Sequence, residues 1–147
     1  IIIANSVGLS GHVEVEDFAF IGGMVGVHQH TRIGAYTMVG GMSRVPQDIP
    51  PFVVASGYDE VKLYGINSIG LKRKGFSEDT INELKKAYKV LFREKLSLQD
   101  AIKKVQEELP YTDEIKMLID FINKNKRGVC RKGGGHSPLY KVFQTFR

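Results

Sequence analysis

Four histidines are the side chains of this sequence whose type and spacing are best suited to chemistry. His12 and His30 are 18 residues apart, His28 lies beside the second of them, and His136 stands far along the chain. A neutral imidazole can act as a general base, bind a metal ion or hold an anionic substrate. The alternative for each is a solvated surface position. A closed metal site needs three or four ligands, and no Cys, Asp or Glu supplies the missing ones at matching spacing.

Two glycine pairs, Gly22-Gly23 and Gly40-Gly41, are also 18 residues apart. If residues at that spacing stack, the pairs form a groove without side chains, in which a chain-like ligand could lie. Gly41 is the more suggestive position because flexible thioethers that accept an acyl chain stand nearby, on Met24, Met38 and Met42. The alternative, with equal weight, is that the glycines only satisfy the torsions of tight corners.

A basic cluster, Lys72-Arg73-Lys74, precedes the first long predicted helix. Such a cluster can bind a diphosphate through charge-assisted hydrogen bonds. A solvated loop is the alternative. Nucleic-acid binding is disfavoured, because no aromatic residues alternate with the basic ones and no nucleic-acid motif is present.

The elements that position these residues follow from a six-residue repeat. Period six fits neither a helix nor a long strand, but it fits short strands joined by tight corners with aliphatic side chains stacked inside. The repeat predicts a parallel β-helix over residues 1–51, with three hexads per coil and with Gly and Asn supplying positive φ at the corners. The aliphatic positions, all in one phase, are Ile3, Leu9, Val15, Ile21, Val27, Ile33, Val39 and Val45.

Three prolines, Pro46, Pro50 and Pro51, are expected to end the strand pairing because proline has no backbone donor. Residues 52–76 then lose all periodicity and contain several glycines. This interval is expected to be a linker and binding loop.

Three amphipathic helices are predicted after it, beginning at Ser77, Ser97 and Thr112, each of which is a favourable N-cap. Together they form a predicted helical domain over residues 77–131. Residues 132–147 contain three consecutive glycines and show no periodicity, and they are expected to be a flexible tail.

The composition is that of a soluble globular chain, with 42% hydrophobic and 25% charged residues. No apolar run approaches the roughly 18 residues of a membrane span, so no stable membrane insertion is expected. The single Cys130 fits a reducing compartment. The net charge of +5 fits nucleic acid, an acidic protein or a phosphorylated ligand equally well. Because the sequence starts within the repeat and without Met, we expect it to be a fragment.

Several segments together resemble the acyl-[acyl-carrier-protein]–UDP-N-acetylglucosamine O-acyltransferases of lipid A biosynthesis, from Ile1 to about Arg131. Single hexads are common to many acyltransferases, but this combination of segments is distinctive. They are Gly11-His12-Val13, the glycine-methionine-histidine stretch 20–29, Ile33-Gly34-Ala35, Val39-Gly40-Gly41, the proline exit 47–53 and the segments 65–67 and 70–76.

The resemblance implies a homotrimer of left-handed parallel β-helices, each followed by a C-terminal three-helix domain, with active sites between subunits. It also implies transfer of a β-hydroxyacyl group from acyl carrier protein to the 3-hydroxyl of UDP-N-acetylglucosamine. The acyl group travels on the carrier's phosphopantetheine, so no separate cofactor or metal is expected. The implied location is the bacterial cytoplasm.

The resemblance also implies roles for particular residues. His12, His28 and Gln29 match positions that line the site and hold substrate. Asn67, Arg73 and Lys74 match the segment that approaches the UDP group.

In the same way Gly41 matches the position that sets acyl-chain length, and a small residue there implies a long chain. Asp59 replaces a histidine that the family often has at the end of the acyl groove. The oxyanion donor is expected to be the backbone amide of Gly23, with Gly11 as the other candidate. The family's catalytic histidine matches a position before Ile1.

This sequence alone is therefore expected to lack transferase activity. Three other interpretations remain at this point. The chain could be only a trimerising, ligand-binding β-helix module, or the related N-acyltransferase of the same pathway. A γ-class carbonic anhydrase is a third, for which His12, His28 and His30 could supply only part of a zinc site.

Overall fold

The computed structural model describes residues 1–125 and 128–134. Eight two-residue strands wind as a parallel coil, and each strand pairs with the strand 18 residues further on, as Ile2 does with Phe20 and Phe20 with Met38. The strands are β1 Ile2–Ile3, β2 Gly8–Leu9, β3 Glu14–Val15, β4 Phe20–Ile21, β5 Gly26–Val27, β6 Arg32–Ile33, β7 Met38–Val39 and β8 Arg44–Val45. The β-helix predicted from the hexads is confirmed.

The strands stack into three faces. Face A contains β1, β4 and β7, face B contains β2, β5 and β8, and face C contains β3 and β6. The faces meet at three edges, which we name AB, BC and CA. The aliphatic residues point inward and are almost fully buried in the second coil and beyond, whereas Ile3 and Leu9 of the first coil are each 44% exposed.

The corners take positive φ at non-glycine residues, contrary to expectation. The backbone N–H of each such residue in the second coil and beyond donates to a carbonyl of the previous coil, as Met42 does to Gly23 O at 2.8 Å. This hydrogen bond offsets the cost of roughly 1 kcal/mol or more of a left-handed L-residue. The seven residues, all with φ between 58° and 61°, are Ser6, His12, Phe18, Met24, His30, Tyr36 and Met42.

Close approach of the backbone, and not torsion, accounts for Gly22. A Cβ added there would lie 2.6 Å from Gly41 N and 3.0 Å from Val39 O. Because real Cβ atoms do not come that close to backbone, neighbouring coils require glycine at this position.

The interval 52–76, expected to be a linker and loop, contains regular structure. Strand β9 Val53–Ser56 continues face A on β7, and β10 Lys62–Ile66 pairs with it in antiparallel fashion. A short helix, α1 Ser68–Arg73, follows. The sequence of this interval has no period because its pairing partners are remote in the chain and not one coil away.

Three longer helices agree with the prediction: α2 Glu78–Phe92, α3 Leu98–Glu108 and α4 Asp113–Asn123. Their N-caps are Ser77, Ser97 and Thr112, and each hydroxyl accepts a hydrogen bond from the backbone N–H three residues later. Helix α2 packs against β10, α3 and α4. None of the helices among the described residues is long and apolar enough to cross a bilayer.

The chain then returns to the β-helix. Cys130 N donates to Asp48 O at 2.8 Å, and Gly134 N donates to Leu63 O at 2.9 Å. The first residues of the interval expected to be a tail, 132–134, therefore pair with β10. Residues 135–147, including His136, lie outside the described residues.

A buried ion pair joins the helical part to the coil. Arg32 donates to both carboxylate oxygens of Asp48, through its backbone N at 2.9 Å and its Nε at 3.1 Å. Its Nη2 donates to Phe121 O at 2.7 Å, and its guanidinium lies 4.0 Å from the centroid of the Phe121 ring. Asp48 is only 1% exposed.

Candidate functional site

His12 and His30 stack on the BC edge, as their spacing predicts. Their rings are parallel to within 1° and their centroids are 4.7 Å apart. Both are exposed, as are His28 at the same side of face B and the adjacent Gln29. The His28 ring makes only a 3.4 Å contact with Gln29 O.

No carboxylate orients these histidines. In the described part of the chain, none of the three imidazoles forms a hydrogen bond or ion pair with an Asp or Glu. The described residues also contain no group of three or more His, Cys, Asp or Glu side chains that would hold a metal ion. The arrangement is suited to binding a polar ligand more than to proton abstraction by a fixed base.

Face B has a shallow groove of about 420 Å³ lined by Gly8, Gly26, His28, Arg44 and Pro46, among others. Neither glycine has positive φ, and a Cβ added at either one would meet nothing within 4 Å. The fold of this chain therefore does not require glycine at these positions. What the glycines do provide is a floor without side chains, bordered by His28.

The AB edge contains the stacked glycines. A Cβ on Gly41 would lie 3.3 Å from Gly23 O, so a larger residue there would have to project outward over the edge. Met24 and Met42 flank this position with side chains 62% and 53% exposed. The backbone amides of Gly11 and Gly23 donate to no acceptor among the described residues, so each remains a candidate oxyanion donor.

The CA edge, on the far side of the coil, holds a column of aromatic rings that we did not predict. Phe18 stacks on Tyr36 at 4.9 Å, and Tyr36 stacks on Phe52 at 5.8 Å. Phe76 meets Tyr36 edge-on at 4.9 Å. The 18-residue spacing of Phe18 and Tyr36 was a readable signal for this column.

The basic cluster lies at this aromatic edge. Lys74 Nζ stands 5.2 Å from the centroid of the Phe18 ring. The side chains of Lys72, Arg73 and Lys74 are exposed, and Lys72 lies 3.5 Å from Glu78. Cations therefore gather on the side of the coil opposite the histidine edge.

Asn67 is the one predicted substrate-binding residue that is buried, at 1% exposure. Its Nδ2 donates to Tyr36 O at 3.0 Å, and its Oδ1 accepts from Gly70 N at 3.3 Å as the N-cap of α1. Asp59, expected near the end of the acyl groove, is exposed in the β9–β10 connection.

Cys130 is remote from these edges and has no part in the site. Burial raises the pKa of its thiol to about 11. Burial likewise raises the pKa of the Tyr88 hydroxyl to about 12, against the opposing effect of Arg93.

Within one chain, face B and its two edges bring together His12, His28, Gln29, Gly23 and Gly41. Arg73 and Lys74 lie at the third edge and cannot reach them. A hexad-built coil with an outward histidine and glycine face, followed by a helical unit, defines the class of hexapeptide-repeat β-helix proteins.

Comparison with known proteins gives the family. The family model described as UDP N-acetylglucosamine O-acyltransferase, domain 2, matches residues 48–130. The acyl-[acyl-carrier-protein]–UDP-N-acetylglucosamine O-acyltransferase of Thermodesulfovibrio yellowstonii is 66% identical over 131 residues, which are 89% of this chain and 50% of the relative. That of Thiobacillus denitrificans is 45% identical over 130 residues, covering 88% and 50%. The chain belongs to the UDP-N-acetylglucosamine O-acyltransferase family.

Solved structures agree. LpxA from Acinetobacter baumannii superposes with a TM-score of 0.84 at 40% identity, over 88% of this chain and 50% of that one. The UDP-N-acetylglucosamine acyltransferase from Bacteroides fragilis gives 0.85 at 38% identity, with the same coverage. The chain spans about half the length of the curated relatives it matches.

Proposed function

We propose that this chain provides the acyl groove and substrate-holding residues of an acyltransferase. The enzyme moves a β-hydroxyacyl group from acyl carrier protein to the 3-hydroxyl of UDP-N-acetylglucosamine, the first step of lipid A biosynthesis. The observation that carries the proposal is face B, whose glycine floor runs between a glycine-methionine edge and a histidine edge. Family membership supplies the reaction.

In this proposal the sugar hydroxyl oxygen attacks the thioester carbon, its proton passes to a base, and the carrier thiol leaves. The amide of Gly23, or that of Gly11, stabilises the oxyanion that forms on the thioester oxygen. The acyl chain lies along the AB edge, where Gly41 leaves room for it. His12, His28 and Gln29 hold the polar part of the substrates.

These histidines hold substrate and do not take the proton. A catalytic base is usually oriented by a third group, and no carboxylate orients His12, His28 or His30. We therefore expect the 147-residue chain to bind substrate without turning it over.

A homotrimer completes the site. Because Arg73 and Lys74 lie at the CA edge, they can meet face B only if a second copy presents its CA edge there. Closed rings of identical subunits are built by such contacts between different surfaces. The left-handed sense of the coil remains a prediction, as does a location in the cytoplasm.

Calorimetric titration with UDP-N-acetylglucosamine, and a thioester-release assay with β-hydroxyacyl carrier protein, test this function. We expect saturable binding by a trimer and no thiol release above the uncatalysed rate. Absence of binding by a folded trimer would overturn the proposal, and release above background would overturn the role given to the histidines. Tighter binding of the O-acylated, deacetylated sugar nucleotide would indicate the related N-acyltransferase instead.

A further inference from the structure

Helix α1 is attached to the coil at both of its ends. At its start, Asn67 N donates to Phe52 O at 2.7 Å and Asn67 Nδ2 donates to Tyr36 O at 3.0 Å. At its end, Lys74 covers the ring of Phe18. These contacts place α1 against the aromatic column of the CA edge.

The attachment at the start depends on one side chain. The amide of Asn67 spans two elements, because its nitrogen holds the Tyr36 carbonyl of the coil while its oxygen caps the N–H of Gly70 in α1. The side chain is 1% exposed and lies beneath the helix, not beside the exposed cations. Six residues of helix are too few to be stable without such anchoring.

We infer that Asn67 is a positioning residue, which fixes the direction of α1 and thereby the place of Arg73 and Lys74, and that it does not contact the nucleotide. The inference rests on the proposed function for the ligand, a nucleoside diphosphate. It does not rest on it for the geometry. A buried amide that bonds protein backbone on both sides orients its neighbours more directly than it reaches a ligand.

Three variants of the full chain separate positioning from contact. Asn67→Ala removes both hydrogen bonds, whereas Asn67→Ser keeps a hydroxyl that can cap Gly70 N. Ser68→Ala is the matched control, since its hydroxyl bonds only Ile66 O, at 3.3 Å, and does not tie α1 to the coil.

Amide hydrogen exchange across residues 68–74 is measured together with UDP affinity. We expect about tenfold faster exchange in Asn67→Ala, the combined effect of a lost cap and a lost buried bond, and a parallel loss of UDP affinity. Asn67→Ser is expected to recover most of both, and Ser68→Ala to resemble the unmodified chain.

Two results overturn the inference. One is unchanged exchange in Asn67→Ala. The other is an Asn67→Ser chain that recovers protection of α1 but not UDP affinity, because that result means direct contact. If the unmodified chain binds no UDP, the proposed function fails, while the exchange measurements still decide whether Asn67 positions α1.

Discussion

The ion pair between Arg32 and Asp48 gives the sharpest test of how the helical part is held to the coil. Replacing Arg32 with Met keeps the apolar stem but leaves the Asp48 carboxylate, 1% exposed, without its cation. Breaking a buried pair from one side costs about 3–5 kcal/mol. The lost hydrogen bond to Phe121 O adds about 1 kcal/mol, and the backbone N–H of residue 32 still serves the carboxylate.

We therefore expect Arg32→Met to lower the free energy of unfolding by about 4 kcal/mol, a large share of the roughly 5–15 kcal/mol typical of a domain. Asp48→Asn keeps an acceptor for the backbone N–H and leaves a cation that is partly solvated, so it should cost about 1–2 kcal/mol. The double variant buries no charge. Its cost should fall short of the sum by about 2 kcal/mol or more.

Urea unfolding followed by far-UV circular dichroism measures these values, at one chain concentration in case assembly contributes. Arg44→Met is the matched control, since that exposed side chain has no partner in the described part of the chain, and it should stay within about 0.5 kcal/mol of the unmodified protein. An Arg32→Met chain within about 1 kcal/mol of the unmodified protein, or additive single variants, would refute the reasoning.

Three further predictions use the same unfolding assay or a simple reagent. Gly22→Ala should destabilise the coil by about 2 kcal/mol or more because its Cβ would meet Gly41 N, whereas Gly26→Ala has open space and should be nearly neutral; equal effects would contradict this account. Ser97→Ala should cost about 1 kcal/mol through loss of the α3 cap, and no change would mean that the cap is not needed. Because burial raises the pKa of Cys130 to about 11, the native thiol should react with a disulfide reagent at about pH 8 far more slowly than the unfolded one, and stability should fall between about pH 9 and about 11 as only the unfolded thiol ionises; fast native reaction would count against it.

Sequence periodicity was sufficient for the coil because each contact in it repeats at a constant distance along the chain. Residues 18 apart pair in the structure, so the stacking of His12 on His30 could be predicted from their spacing alone. The helix starts at Ser77, Ser97 and Thr112 could be predicted because capping depends on only four consecutive residues.

Contacts without a period were not predictable in this way. Strands β9 and β10 form because β7 offers an unpaired edge, which local sequence does not show. Asn67 was assigned by resemblance to substrate binding, and only the structure shows it buried between Tyr36 O and Gly70 N.

The sequence by itself determined the coil, its 18-residue register, the helix boundaries and the family, because each of these is written in residues close together or evenly spaced. Tertiary structure alone decided that the histidine and glycine edges share face B while the basic cluster lies at the opposite edge. The physical reason is that three faces of one coil point in three directions. Which residues share a direction depends on where each corner turns the chain.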